Sequence, residues 1–232
     1  MIQEVIFQDW GRVDYEAAWI KQQQFVDIQT IAKREGVELE NRPPHHLIIC
    51  DHPHVYTLGK SGSVENLLLT EEERINNDIQ FFKINRGGDI TYHGPGQLIA
   101  YPILDLERIF TDVHKYVRTL EEIVIQTLAY YHVEGTRLEG YTGVWLRPND
   151  QKPWRKICAI GVHLSRWVTM HGLAFNVNSD LKYFEYIIPC GIADDDKGVT
   201  SLQIELNRQI DVSECKKVFI EAFEKCFEVK VV

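Results

Sequence analysis

A mixed β-sheet covered by a few helices, the α+β arrangement within the α/β class, is the fold this sequence predicts. Three capped amphipathic patterns mark helices, and short β-like runs lie between them. Neither a regular βαβα alternation nor an internal repeat links the two sets. Spacings of hairpin length late in the chain favour mixed over purely parallel pairing.

The first helix is expected after Asp14, a capping residue, running through Ala18, Trp19, Phe25, Ile28 and Ala32 to a stop at Gly36. Gln22 and Gln29 interrupt its apolar face. The second follows Asp112, where Val113, Tyr116, Val117, Leu120, Ile123, Val124, Leu128 and Tyr131 recur at helical spacing. The third starts at Asp211, with Glu214 at the capping-box position, and continues through Val218, Phe219, Ala222, Phe223 and Phe227. Strands are expected at His46 to Asp51, Phe81 to Asn85, Gln97 to Leu104, Gly143 to Leu146, Ile157 to Leu164 and Leu173 to Val177. The polar, proline-bearing stretch from Arg147 to Arg155 reads as an exposed loop.

At 232 residues, with 44% hydrophobic and 25% charged residues, the chain suits a single domain over 1–232 with an ordinary core. Apolar runs such as Leu47 to Cys50 are far shorter than the roughly 18 residues of a spanning helix, so no membrane role is expected. The start Met1-Ile2-Gln3-Glu4 lacks a basic segment before an apolar one, and a cytoplasmic location is expected. A net charge of −9 argues against a nucleic-acid partner. Five cysteines without a CxxC pair support neither a disulfide framework nor a zinc site.

Two phosphate-loop readings fail. Gly59-Lys60-Ser61 resembles the end of a Walker loop, but His54 stands where its first glycine is needed, and Gly94-Pro95-Gly96 lacks a third dinucleotide-binding glycine. His52 and His54 project to one side of an extended segment, yet Asp51 faces away from any metal they would share.

The densest block is Asn85 to Gln97, where four glycines surround Arg86, Asp89, Tyr92 and His93. It fits a wall that a flexible tail can approach closely, and equally a glycine-rich turn. Lys156 opens a β-like run in which alternation groups Lys156, Cys158 and Ile160 against Ile157, Ala159 and Gly161. Cys190, between Pro189 and Gly191, is the one cysteine outside any apolar periodicity, and it is the candidate nucleophile. Lys152, Trp154, Arg155 and Lys156 form a basic cluster that suits either an acidic protein partner or a solvated loop.

Several segments occur together in order: His52-Pro53 to Gly59, Arg86-Gly87-Gly88 to Tyr101-Pro102, Lys156 to Gly161, Ser165 to Asn178, and Pro189-Cys190-Gly191 with Gly198 to Leu202. On these the sequence resembles the lipoyl(octanoyl) transferases of the biotin/lipoate protein ligase superfamily. The resemblance implies that superfamily's catalytic-domain fold and an acyltransferase that moves octanoate from acyl carrier protein to lipoyl-domain lysines, the first step of lipoate biosynthesis. Its acceptors would be the lipoyl domains of 2-oxoacid dehydrogenases and the glycine cleavage H protein. It further implies a catalytic pair of Cys190 and Lys156, with a Cys190 thioester intermediate. The acyl pocket would be lined by Arg86, Gly87, Gly88, Asp89, Ile90, Thr91, Tyr92 and His93, by Ala159, Ile160 and Gly161, and by Gly172, Leu173 and Ala174, with His171 close by.

Lys156 would hold Cys190 as thiolate and later accept the acceptor lysine's proton. Amide formation from a thioester runs downhill, so no cofactor or metal is expected, and a monomer suffices. The rivals are an ATP-dependent lipoate ligase, in which Cys190 has no task, and a non-catalytic carrier-protein or lipoyl-domain binder. A cysteine peptidase would pair Cys190 with His171. Relative to the family pattern, the Ala193 to Lys197 and Arg147 to Arg155 stretches are long.

Overall fold

The computed structural model describes residues 2–188 and 197–232. Its main sheet runs in the order β12-β1-β2-β6-β10-β9-β8-β7, with β11 beside β9. The strands are β1 (Gln3–Arg12), β2 (His45–Asp51), β6 (Gln97–Ile103), β7 (Gly135–Leu138), β8 (Tyr141–Leu146), β9 (Trp154–Ser165), β10 (Val168–Asn176), β11 (Lys197–Val199) and β12 (Val229–Val231). β1 lies parallel to β12 and β2, β11 lies parallel to β9, and the path from β2 through to β7 is antiparallel, so the sheet is mixed as expected. A smaller sheet, β4-β3-β5, comprises β3 (Val55–Leu58), β4 (Gln80–Lys83) and β5 (Ile90–His93).

Each long helix starts at the aspartate that the sequence marks. The Asp14 carboxylate accepts from the Glu16 and Ala17 amides ahead of α1 (Tyr15–Arg34), and Asp112 and Asp211 cap α3 (Val113–Tyr130) and α5 (Val212–Phe227) in the same way. Glu214 does not close a capping box; its carboxylate takes the hydroxyls of Tyr130 and Tyr131. Two shorter helices, α2 (Glu71–Asn76) and α4 (Leu202–Leu206), complete the set.

α3 and α5 cover one face of the main sheet, where Leu120, Val124, Phe219 and Phe223 meet Leu47, Leu98, Ile157 and Phe175. α1 covers the other face, where Val26 meets Ile48, Ile99, Tyr101 and Met170. The α1 face differs from expectation. Ile28 is 53% exposed, whereas Tyr15, Ala18, Gln22, Val26 and Gln29 point inward. Each glutamine is paired at one end of its amide: Gln29 donates to the Pro43 and Pro44 carbonyls, and Gln22 accepts from the His171 amide.

The Arg147 to Arg155 stretch is only partly a loop, since β9 begins at Trp154. Its basic cluster is largely committed within the fold. Arg155 is buried and holds Glu205 through two 2.8 Å bonds, and Lys152 joins the same carboxylate. Burial pushes the Glu205 carboxyl up, but Arg155 and Thr200 outweigh it and hold it at about 2. No helix among the described residues is long and apolar enough to cross a membrane.

Candidate active site

A cavity of about 760 Å³ opens between the main sheet, the glycine segment at 86–91 and the 3-10 turn at Leu181–Tyr186. Its floor is the β9-β10 hairpin, where Ala159 pairs with Ala174, Ile160 with Leu173 and Gly161 with Gly172. The small residues are needed for close approach. A Cβ on Gly161 would lie 2.9 Å from both Arg86 Cδ and the Gly87 carbonyl, and one on Gly172 would strike the Ala100 carbonyl. With these positions bare, the Gly87 amide donates to the Val162 carbonyl at 2.9 Å and the glycine segment lies on the strand.

Arg86 is buried beneath that segment. Its guanidinium donates to the Thr57 carbonyl at 2.6 Å, the Thr57 hydroxyl at 3.0 Å and the Gly87 carbonyl at 3.0 Å, so it braces the wall. Asp89 accepts from the Asn66 side chain and the Ile90 amide, which fixes the turn before β5. Arg86, Gly87, Gly88, Asp89, Ile90, Thr91 and His93 all line the cavity. Tyr92 does not. It sits in the satellite core of the small sheet, bonded to His54 at 2.7 Å and stacked on Tyr183, because β5 alternates and Tyr92 faces away from Thr91 and His93.

His93 and His171 both line the cavity and are both buried. Burial, with Arg86 adding like charge, drives His171 down to about 3, and burial drives His93 well below the usual imidazole range. Each ring is therefore neutral at pH 7. His171 Nε2 is 2.7 Å from Asn85 Oδ1, and His93 Nε2 is 3.4 Å from Thr57 Oγ1. His52 and His54 do not converge on a shared ligand; the first is held between the Val13 carbonyl and the Tyr101 hydroxyl, the second by Tyr92.

Lys156 lines the same cavity, although not by the expected alternation. The β8 register steps from Val144–Cys158 to Trp145–Lys156, leaving Ile157 unmatched. Ile157 and Cys158 consequently both enter the principal core, while Lys156 joins Ala159, Ile160 and Gly161 along the cavity. Cys158 is thereby inert: burial pushes its thiol far above the usual value. Cys50 and Cys215 are buried too, Cys226 half so, and burial raises all three, Cys215 to about 12. None of these four lines the cavity. Cys190 and most of the long Ala193 to Lys197 stretch lie outside the described residues.

Sequence reasoning missed Tyr15, Tyr101, Tyr141 and Trp145, which also line the cavity. Tyr15 directly follows a helix cap and the others sit in ordinary strand patterns, so no local signal separates them from core residues.

Residues 32–224 match the lipoyl protein ligase A/B catalytic domain family. An octanoyltransferase of Flavobacterium psychrophilum is 51% identical over 237 residues, covering 100% of both chains. The chain belongs to the octanoyltransferase family. It is thus an acyltransferase. A second family member, from Bacteroides fragilis, is 53% identical over 92% of this chain and 94% of its own.

Among solved structures, a bipartite lipoate protein ligase of Thermoplasma acidophilum superposes with a TM-score of 0.70 at 13% identity, covering 100% of this chain and 86% of that one. A lipoate-protein ligase A bound with ATP gives 0.68 at 14% identity, covering 100% and 88%. These likenesses show the fold alone.

Proposed function

We propose that the chain takes an octanoyl group from the thioester of acyl carrier protein, holds it as a thioester on Cys190 and passes it to the lysine of a lipoyl domain. The observation that carries this reading is Lys156 on the wall of a cavity floored by Ala159, Gly161, Gly172 and Ala174. At roughly 30 Å³ per heavy atom, the volume share of a water molecule, an octanoyl group needs about 270 Å³. The cavity of about 760 Å³ leaves room beside it for the carrier's thioester arm or the incoming lysine.

The reaction follows from ordinary group chemistry. Cys190 as thiolate attacks the carrier thioester carbon, the tetrahedral oxyanion is held by backbone amides, and the carrier's thiolate leaves with a proton from the Lys156 ammonium, which becomes a neutral amine. The neutral amine of the acceptor lysine then attacks the enzyme thioester, an amide forms, and the Cys190 sulfur departs. Lys156 supplies the positive charge that favours thiolate in the first half and accepts the amine proton in the second. Support for Cys190 comes also from the four described cysteines, whose raised thiols and placement off the cavity suit packing rather than attack.

No nucleotide enters this route. Purified protein with octanoyl carrier protein and a lipoyl domain is expected to give octanoylated lipoyl domain without ATP, whereas free octanoate with ATP is expected to give none. Pyrophosphate exchange driven by octanoate would instead make the chain a ligase.

A further inference from the structure

The side chain of Lys156 runs through a seat built by β8. Trp145 pairs with Lys156 in the sheet register, and the Lys156 ammonium lies 4.7 Å from the centre of the Trp145 ring. Gly143, two residues earlier on the same strand, brings the β8 backbone close to that of β9. A Cβ there would stand 2.5 Å from the Cys158 carbonyl and 3.6 Å from Lys156 Cε, and its φ of +119° suits glycine alone. The strand is anchored at that point, because the Gly143 amide donates to Glu121 at 3.0 Å and this buried carboxylate is itself held by Arg118 and Arg137. The indole is 0% exposed and Tyr141 stands edge-on against it at 5.7 Å.

On these grounds we infer that Trp145 is a positioning residue for Lys156, its ring holding the ammonium against the cavity wall through a cation–π contact. The inference rests on the proposed role of Lys156. A lysine stem is flexible, and an ammonium spread over many rotamers stabilises a neighbouring thiolate poorly. The face of a desolvated indole attracts the ammonium and offers nothing comparable to the neutral amine. The contact therefore favours the charged lysine at one place in the resting enzyme and lapses when its proton leaves.

The test uses the full chain with ε-¹³C-labelled lysine. In the parent protein the lysine ε-methylene resonance that is absent from Lys156→Ala should lie upfield of the position of a solvated lysine through the indole ring current. Trp145→Leu should return it to the ordinary position, and Trp145→Phe should retain part of the shift. In transfer assays Trp145→Leu should lose about 3- to 30-fold in kcat with KM for the carrier little changed, as expected for a desolvated cation–π contact, and Trp145→Phe should recover most of the loss. A Lys156 resonance without a ring shift, or a Trp145→Leu protein with parental kcat, overturns the inference. Should Trp145→Leu fail to fold, the parent and Trp145→Phe spectra still decide it. If Lys156→Ala keeps full transfer, the role of Lys156 itself falls, whatever the spectra show.

Discussion

Lys156→Ala is expected to lower octanoyl transfer by about 10²- to 10⁴-fold, the range for losing a general acid or base, while leaving a folded protein. The fold should survive because Lys156 is half-buried at the cavity and the core residues beside it on β9, Ile157 and Cys158, stay in place. The activity should not, because a free thiol is only a few per cent ionised at pH 7 and nothing else is proposed to take the acceptor's proton. Lys156→Arg separates the two tasks. A guanidinium keeps the positive charge but cannot give up its proton near neutral pH. That variant should therefore still load Cys190 measurably and yet discharge it to a lipoyl domain very slowly. Single-turnover assays of loading and discharge read the two halves apart, and transfer by Lys156→Ala within threefold of the parent would count against the dyad.

The second large effect is on stability. Burial, reinforced by Arg108, holds His45 at about 3, and burial with Arg86 holds His171 at about 3. Burial lowers His52 and His93 as well. For a histidine whose folded pKa lies below its unfolded value of about 6.5, the unfolded chain binds the proton first. The stability these rings contribute is thus complete above about pH 6.5 and is lost as the pH falls toward 3. At pH 5, His45 and His171 each cost about 2 kcal/mol, together about 4 kcal/mol, a large part of a typical 5 to 15 kcal/mol total. Asp105 and Glu205, whose carboxyls are lowered by Lys33 and Arg42 and by Arg155 against the raising effect of burial, add further loss as the pH falls through their unfolded values of 3.8 and 4.5. Urea titrations at pH 7 and pH 5 should differ by about 4 kcal/mol or more, and a difference below about 1 kcal/mol would contradict the buried neutral histidines.

Local signals made the three long helices and most central strands legible in the sequence, but not the short helices α2 and α4. Asp14, Asp112 and Asp211 each begin a helix because a carboxylate beside an apolar period satisfies open amides. Where tertiary partners decide, the sequence was silent or misleading. Gln22 and Gln29 break the apolar pattern of α1, yet both are buried because distant backbone groups meet them. β1 alternates poorly and only Val5 is fully buried along it, although it pairs on both sides. β5 is hidden by the glycines around it. The grouping of Lys156 failed at one residue, Ile157, whose bulge depends on the β8 register and leaves no mark in the sequence.

The candidate site divides in the same way. Composition alone left the Arg86 to His93 segment open between a wall and a turn, and Lys156 was one more lysine at a strand start. The ordered set of family segments singled them out, and the β9-β10 register then brings Ala159 to Gly161 and Gly172 to Ala174 together on the cavity floor. Trp145 went unremarked because a buried tryptophan in a strand is ordinarily just core.

Intact mass spectrometry after mixing the protein with octanoyl carrier protein, in the absence of an acceptor, tests the covalent route most directly. The account predicts one added octanoyl group, mapped to Cys190, released by hydroxylamine and discharged by a lipoyl domain, with no adduct on Cys190→Ala. An adduct on Cys158, or a Cys190→Ala protein that still transfers octanoyl at the parental rate, would contradict it and point to direct transfer between the two bound partners.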